Sequence, residues 1–395
     1  VSPLAVTSFT VTSALGPGNR VSLAALRERR SGLRANDLAG APLETWIGRV
    51  EGLETLSLPE ALQRYDCRNN RLALLALQQD GFEQAVAQAR RRYGERRVAV
   101  LVGTSTSGIE ATEQAFRGRE PLTGALPASF HYRETHNVFS AGELVRRRLG
   151  LEGPASVVST ACSSSAKVFA SAERLIAAGF ADAAVVGGVD SLCLMTLYGF
   201  NSLQLLSRGP CRPCHEQRDG ISIGEAAGFA LLEPAARAGA PLALLGYGES
   251  SDAYHMSTPN PGGEGAAAAI MQALGRAGME PGEVGYVNMH GTGTLANDKA
   301  EDAALHGVFG GAVPCSSTKG WTGHTLGAAG IVEAAFSLLC LQQGFIPGSL
   351  RLERPDPALR SRIAAAPEER RLDAVLSNSF GFGGTNCSLL FGRQP

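Results

Sequence analysis

The sequence predicts an α/β fold made of two similarly built halves, and three observations predict it. Short apolar runs of strand length alternate with helix-patterned segments along the chain. In each half, an apolar strand runs into a corner of small residues and then into a helix. Charged residues make up only 18% of the 395 residues while glycine numbers 48, a composition suited to closely packed layers and a large buried interface.

In chain order, the expected strands of the first half are 97–103, 157–161, 183–188 and 228–232, with helices over 69–92 and 164–178, the latter ended by Gly179. A loop over 233–240 separates the halves. Strands then recur at 242–247, 284–289, 374–377 and 387–391, with helices over 263–275, 298–309 and 328–343. The expected division is residues 1–240 and 241–395. The second half repeats the strand, corner and helix of the first, with Cys162 in one copy and His290 in the other.

Composition also narrows the function. A formal net charge of -1 gives no global basic field for nucleic acid or a membrane surface. No uninterrupted apolar run has the length of a membrane span, and the first twelve residues lack the pattern of a secretory leader. Eight scattered cysteines in mostly apolar surroundings suit a reduced, cytoplasmic setting. Cys211, Cys214 and His215 form a C-x-x-C-H run, but no second ligand pair lies nearby, and an ordinary loop is the expected reading. No metal is expected.

Cys162 lies between an apolar strand and the run Ser163, Ser164, Ser165, which places its thiol at a helix N-terminus where unpaired N–H groups favour a thiolate. It is the expected nucleophile. His290 opens the segment His290, Gly291, Thr292, Gly293, Thr294 after a second apolar strand, and His324 lies in a glycine-rich loop that runs into a helix of small residues. A cysteine with distant histidines is a catalytic arrangement if the fold converges them.

These three segments, with the run Asn378–Asn386 (NSFGFGGTN) near the C-terminus, resemble the β-ketoacyl-acyl-carrier-protein synthases of the KAS I/II type. The resemblance implies the thiolase fold, a duplicated five-layered α-β-α-β-α arrangement, and a homodimer. It implies a decarboxylating Claisen condensation: an acyl chain carried on Cys162 meets an enolate formed from malonyl-carrier protein. It further implies His290 and His324 as the enolate-stabilising pair and Lys319 as the active-site lysine, with Asp298 and Glu301 as its acidic partners. The oxyanion hole falls to the amides of Cys162 and Phe380, with the Phe380 ring as gate, and the pantetheine arm falls to Thr292 and Thr294. Thr106 and Phe200 are candidate acyl-pocket walls, and Arg64, Arg68 and Arg71 are candidate docking residues for an acidic carrier protein.

No cofactor is implied beyond the phosphopantetheine that arrives on the acyl-carrier protein. The Cys211–His215 loop departs from the Arg-Pro-Phe-Asp type of sequence usual in the family. A thiolase would use a second cysteine where this chain has histidines. A chain-length-factor-like subunit, the non-condensing half of a ketosynthase heterodimer, commonly lacks the cysteine that is intact here. Hydroxyls at Thr104, Ser105, Thr106 and Ser107 would suit a polar or conjugated acyl group, and the stretch 66–71 (DCRNNR) resembles ketosynthases of aryl polyene clusters.

Overall fold

Ten strands, numbered in chain order, form the continuous path of one sheet in the computed structural model, which describes residues 2–394; an eleventh, two-residue strand, Gly16–Pro17, pairs off that path with the first. They are β1 (Leu4–Ser13), β2 (Val98–Gly103), β3 (Ala155–Val158), β4 (Ala183–Asp190) and β5 (Ala226–Pro234), then β6 (Leu242–Ser251), β7 (Tyr286–Asn288), β8 (Cys315–Ser316), β9 (Ala374–Gly381) and β10 (Thr385–Arg393). The first five lie in the order β3-β2-β4-β5-β1 and the second five in the order β8-β7-β9-β10-β6. Each half thus runs third, second, fourth, fifth, first, and in each the third, second and fourth strands are parallel while the last two pair antiparallel. This is the duplication the sequence suggested. The two first strands join the halves through Leu4↔Leu244 and Ala5↔Ala243. The changeover between halves falls between Pro234 and Leu242. Val1 and Pro395, the outer ends of the two expected segments, lie outside the described residues.

Helices complete the layers. Ser164–Ala177 and Ala329–Gln343 pack on each other, and each touches strands of both halves, so they form the middle layer. Arg68–Leu77, Phe82–Tyr93 and Phe139–Leu149 cover the outer face of the first half, and Glu264–Ala277 and Leu295–Phe309 cover that of the second. A Cβ on Gly330 would come within 2.4 Å of the Ala166 backbone, so glycine sets how closely the central helices approach. Fully buried Val168, Phe169, Ile331 and Phe336 fill the space between them and the sheets. The stretch Leu326–Gln343 is apolar and long enough to cross a membrane, yet 89% of it is buried in this middle layer.

Several expectations are corrected. The helix expected over 69–92 is two, because Asp80 and Gly81 adopt positive φ and turn the chain between Leu77 and Phe82. β1 was not among the expected strands: Thr7, Ser8, Thr10 and Thr12 dilute its apolar run, although it lies at the centre of the sheet. Cys162 and His290 are not equivalent positions either. His290 follows the second strand of its half, whereas Cys162 follows the third strand of the other.

Candidate active site

The corner that carries Cys162 is built by its serines. Ala161 holds φ 50°, turning the chain sharply after β3. Ser164 Oγ accepts the Thr160 N–H at 2.9 Å and donates to Ala161 O at 2.6 Å. Ser163 Oγ donates to Thr160 O at 2.9 Å, and Thr385 Oγ1 donates to the same carbonyl at 3.1 Å. Four hydroxyl contacts thus satisfy a bend that exposed backbone could not hold dry. They leave Cys162 two residues before the helix begins.

The fold brings both histidines to that thiol. His324 Nε2 lies 2.9 Å from Cys162 Sγ, and the imidazoles of His290 and His324 meet edge to face at 5.2 Å between centroids. One potential ligand atom from each of the three residues lies within 4.8 Å of the others, a set able to hold a soft divalent metal, although the Lys319 ammonium beside His290 opposes a cation there. Burial, reinforced by the charge of Lys319, holds both imidazoles well below the usual histidine range. Burial also pushes the Cys162 thiol up to about 12, against the pull of Lys319 and of the Phe382 N–H aimed at its sulfur. The resting site is therefore a neutral thiol beside two neutral imidazoles. The thiolate expected from the helix terminus alone is outweighed by loss of water.

Lys319 is fully buried, and its ammonium donates to His290 O and to Glu333 and lies 3.4 Å from His290 Nδ1. Its carboxylate partner is Glu333, in place of the expected Asp298 and Glu301. Glu301 instead accepts the backbone N–H of His290 and of Gly291 at 2.8 and 2.7 Å and a bond from Asn378 at 3.2 Å. Asp298 accepts from Cys214 N at 2.8 Å and Gly293 N at 3.1 Å and faces buried Arg218 at 3.3 Å. Both acids hold the loop that carries His290 and the threonines. Glu333, not among the expected site residues, is the sole charge in the apolar helix Ala329–Gln343.

Two chambers meet at the sulfur. One is lined by Cys162, both histidines, Thr292, Thr294, Phe200 and Phe382. The other, of about 430 Å³, extends past Phe200, Leu203, Ile109 and Ser105. Phe382 borders both chambers, and its ring lies 5.5 Å from that of Phe200. The residue that borders both chambers and turns its backbone N–H to the sulfur is thus Phe382, whereas Phe380 lines the first chamber alone. Phe380 belongs to β9, which fixes its backbone in the ladder with Asn386, and its ring is buried against the core and His290. The signal was legible, since Phe382 is the aromatic with glycine on both sides. Thr292 and Thr294 share a 3.0 Å hydroxyl contact, and Thr294 also caps the helix that follows.

Phe200 lines the second chamber, but Thr106 does not. Its hydroxyl turns away to Asp190 at 3.0 Å, and Ser105 takes the wall position. The other hydroxyls along this wall are also engaged: Ser105 donates to Asp190, Thr196 to Cys193 O and Ser202 to Gly199 O. The chamber presents a mainly apolar surface, contrary to the polar one expected from the Thr104–Ser107 run.

Of the three candidate docking arginines, only Arg64 is free to dock. It is 69% exposed and held loosely by Glu134 at 3.6 Å. Arg68 is mostly covered and pairs with buried Glu225, which also accepts the N–H groups of Val50 and Leu192, and with Glu54 at 2.9 Å, so its charge is spent on partners within the protein. Arg71 grips Asp66 through two bonds of 2.6 and 2.7 Å. Cys211 donates to Lys319 O and His215 Nδ1 accepts from Gln217, so the C-x-x-C-H residues turn their polar atoms to separate structural partners.

Residues 61–238 match the β-ketoacyl synthase N-terminal domain, and residues 242–353 match the C-terminal domain. The chain belongs to the β-ketoacyl synthase family. It is 37% identical over 314 residues to the 3-oxoacyl-[acyl-carrier-protein] synthase 2 of Rhizobium meliloti, spanning 74% of this chain and 73% of that one. Among solved structures it is similar to the complex of the ketosynthase ApeO with its chain length factor ApeC from Xenorhabdus doucetiae, with TM-score 0.90, 38% identity and coverage of 100% and 98%. The ishigamide ketosynthase/chain length factor matches with TM-score 0.88, 28% identity and full coverage of both chains. The β-ketoacyl synthase is thus a condensing enzyme with the thiolase fold.

Proposed function

We propose that Cys162 takes an acyl group from an acyl-carrier protein and that His290 and His324 guide its condensation with malonyl-carrier protein. In the first step Sγ attacks the thioester carbonyl, the carrier's thiol leaves, and the N–H groups of Cys162 and Phe382 stabilise the oxyanion. In the second, malonyl thioester loses carbon dioxide, and the two neutral imidazoles donate to the enolate oxygen. The enolate carbon then attacks the Cys162 thioester, a C–C bond replaces the C–S bond, and the freed thiolate takes a proton from water to replace the one that left with the carrier's thiol in the first step. Lys319 and Glu333 orient His290, and Thr292 and Thr294 bind the pantetheine amides from the chamber wall. The observation that carries this reading is the 2.9 Å approach of His324 Nε2 to Cys162 Sγ beside a second buried imidazole.

The apolar chamber suits a fatty or polyene chain, and its aromatic pair Phe200 and Phe382 favours a conjugated one. No cofactor is needed beyond the carrier's own arm, and the eight unpaired cysteines suit a cytoplasmic setting. Phe116, Leu122, Tyr132 and Phe139 are exposed, Phe139 lies beside the edge strand β3, and an apolar side chain next to an open sheet edge is where a second subunit would pack. A chain length factor is a candidate for that subunit, as is a second copy, and intact Cys162 makes this chain the condensing member of either pair. Carbon dioxide release and β-keto product, followed with His290→Ala and His324→Ala beside the unaltered enzyme, test the reading. Both variants should lose condensation by at least a hundredfold, and unchanged turnover in either would remove its histidine from the mechanism.

A further inference from the structure

Cys162 has a counterpart in the other half, and that counterpart is occupied. Ala161 and Leu326 each stand three residues before a central helix, each following the third strand of its half, and both hold positive φ, 50° and 53°. The residue after each is Cys162 in one half and Gly327 in the other. Cys162 lines the chamber that holds both histidines, whereas the Gly327 N–H donates at 2.5 Å to Asp190 Oδ2. Asp190 ends β4 and is fully buried. Its carboxylate also accepts the hydroxyls of Thr104, Ser105 and Thr106 and the backbone N–H groups of Ser105 and Thr106. A carboxylate in the first half therefore fills the donor site at the head of the second half's central helix.

Three residues before Gly327 lies His324, whose own N–H is fixed to Ser222 O at 2.7 Å. Leu326, between them, holds a backbone conformation that a non-glycine residue keeps only when its surroundings enforce it. Asp190 supplies that enforcement, and Ser105 on the acyl-chamber wall shares it, its Oγ lying 3.3 Å from the Gly327 N–H.

We infer that Asp190 is a positioning residue for the condensation step: by binding the Gly327 N–H it fixes the turn that aims His324 at Cys162. The inference rests on the proposed roles of Cys162 and His324. Cys162 itself is stitched by Ser163, Ser164 and Thr385 without Asp190, so the two half reactions should respond differently.

The test measures acyl transfer to Cys162 and condensation with malonyl-carrier protein separately, with circular dichroism and thermal unfolding to score folding. Asp190→Asn should condense at least tenfold more slowly, with acyl transfer within threefold of the unaltered enzyme. Ser105→Ala, which keeps the carboxylate but removes the hydroxyl it shares with the turn, should show the same split at three- to tenfold, and it carries the test if Asp190→Asn does not fold. Thr104→Val, which removes a donor to Oδ1, the carboxylate oxygen that Gly327 does not use, should stay within threefold in both steps. Equal slowing of both steps in Asp190→Asn and Ser105→Ala, unchanged condensation in either, or a Thr104→Val defect matching Asp190→Asn would overturn the inference. Absence of acyl transfer and condensation in the unaltered enzyme would instead overturn the proposed function.

Discussion

His324 Nε2 stands 2.9 Å from Cys162 Sγ although the two residues are 162 positions apart and belong to different halves of the chain. The contact exists because the two central helices, each headed by a corner, begin side by side in the middle layer. Neither half contains the site alone.

The two buried imidazoles predict a pH dependence. Their folded pKa values lie well below the ordinary 6.5, so they stay neutral as the solution falls below pH 6.5, and the acid limb of condensation should lie below that value. The unfolded chain gains these protons near 6.5 and the folded chain does not, so the histidines make stability fall as pH drops through this range. Urea midpoints at pH 7 and 5.5 should differ less for His290→Gln combined with His324→Gln than for the unaltered protein. An equal or larger difference would contradict the neutral pair.

Lys319 and Glu333 are predicted to matter as a unit. Burial raises the Glu333 carboxyl while Lys319 pulls it down, and removing the lysine leaves an unpaired buried acid. Lys319→Met should cost about 3–5 kcal/mol in denaturant unfolding. The double variant Lys319→Met with Glu333→Gln should recover part of that loss. Equal instability of the two variants would show that the pairing is not what stabilises them.

The two phenylalanines of the Asn378–Asn386 run should behave oppositely. Phe380→Ala opens a cavity in the core and should cost about 3–5 kcal/mol. Phe382→Ala keeps its backbone N–H and loses mainly the ring contact with Phe200, at about 1 kcal/mol, but should alter the rate of acyl transfer to Cys162. Unfolding curves and single-turnover acylation distinguish them, and a Phe380→Ala variant of normal stability would reverse the assignment.

How much of this was legible follows from what kind of signal each residue leaves. Cys162, His290 and His324 lie in multi-residue motifs, and apolar runs marked most of the strands. Partner choice was not legible: Lys319 could pair with Asp298, Glu301 or Glu333, and only the helix packing that puts Glu333 beneath the lysine decides. Arg68 and Arg64 are both arginines on a polar stretch, yet Arg68 is drawn inside by Glu225, 157 positions away. The Asp190 carboxylate left no motif, because its six donors come from backbone and hydroxyls on two distant loops.

Those arginines give a further prediction. Arg68→Ala strands buried Glu225 and should destabilise the fold by about 3–5 kcal/mol. Arg64→Glu should leave unfolding within about 0.5 kcal/mol and weaken binding of an acidic carrier protein severalfold at low salt. Carrier affinity by titration calorimetry, beside unfolding curves, checks both, and unchanged affinity in Arg64→Glu would remove it from the docking surface.

The central claim is that Cys162 carries the acyl chain that is then extended. Intact-mass spectrometry of the protein after mixing with acyl-carrier protein, then with malonyl-carrier protein, beside Cys162→Ala, tests it most directly. The account predicts an acyl adduct on the unaltered protein alone, discharged on malonyl addition as a β-ketoacyl-carrier product two carbons longer. An adduct that persists in Cys162→Ala, or no adduct on folded protein with an active carrier, would contradict it.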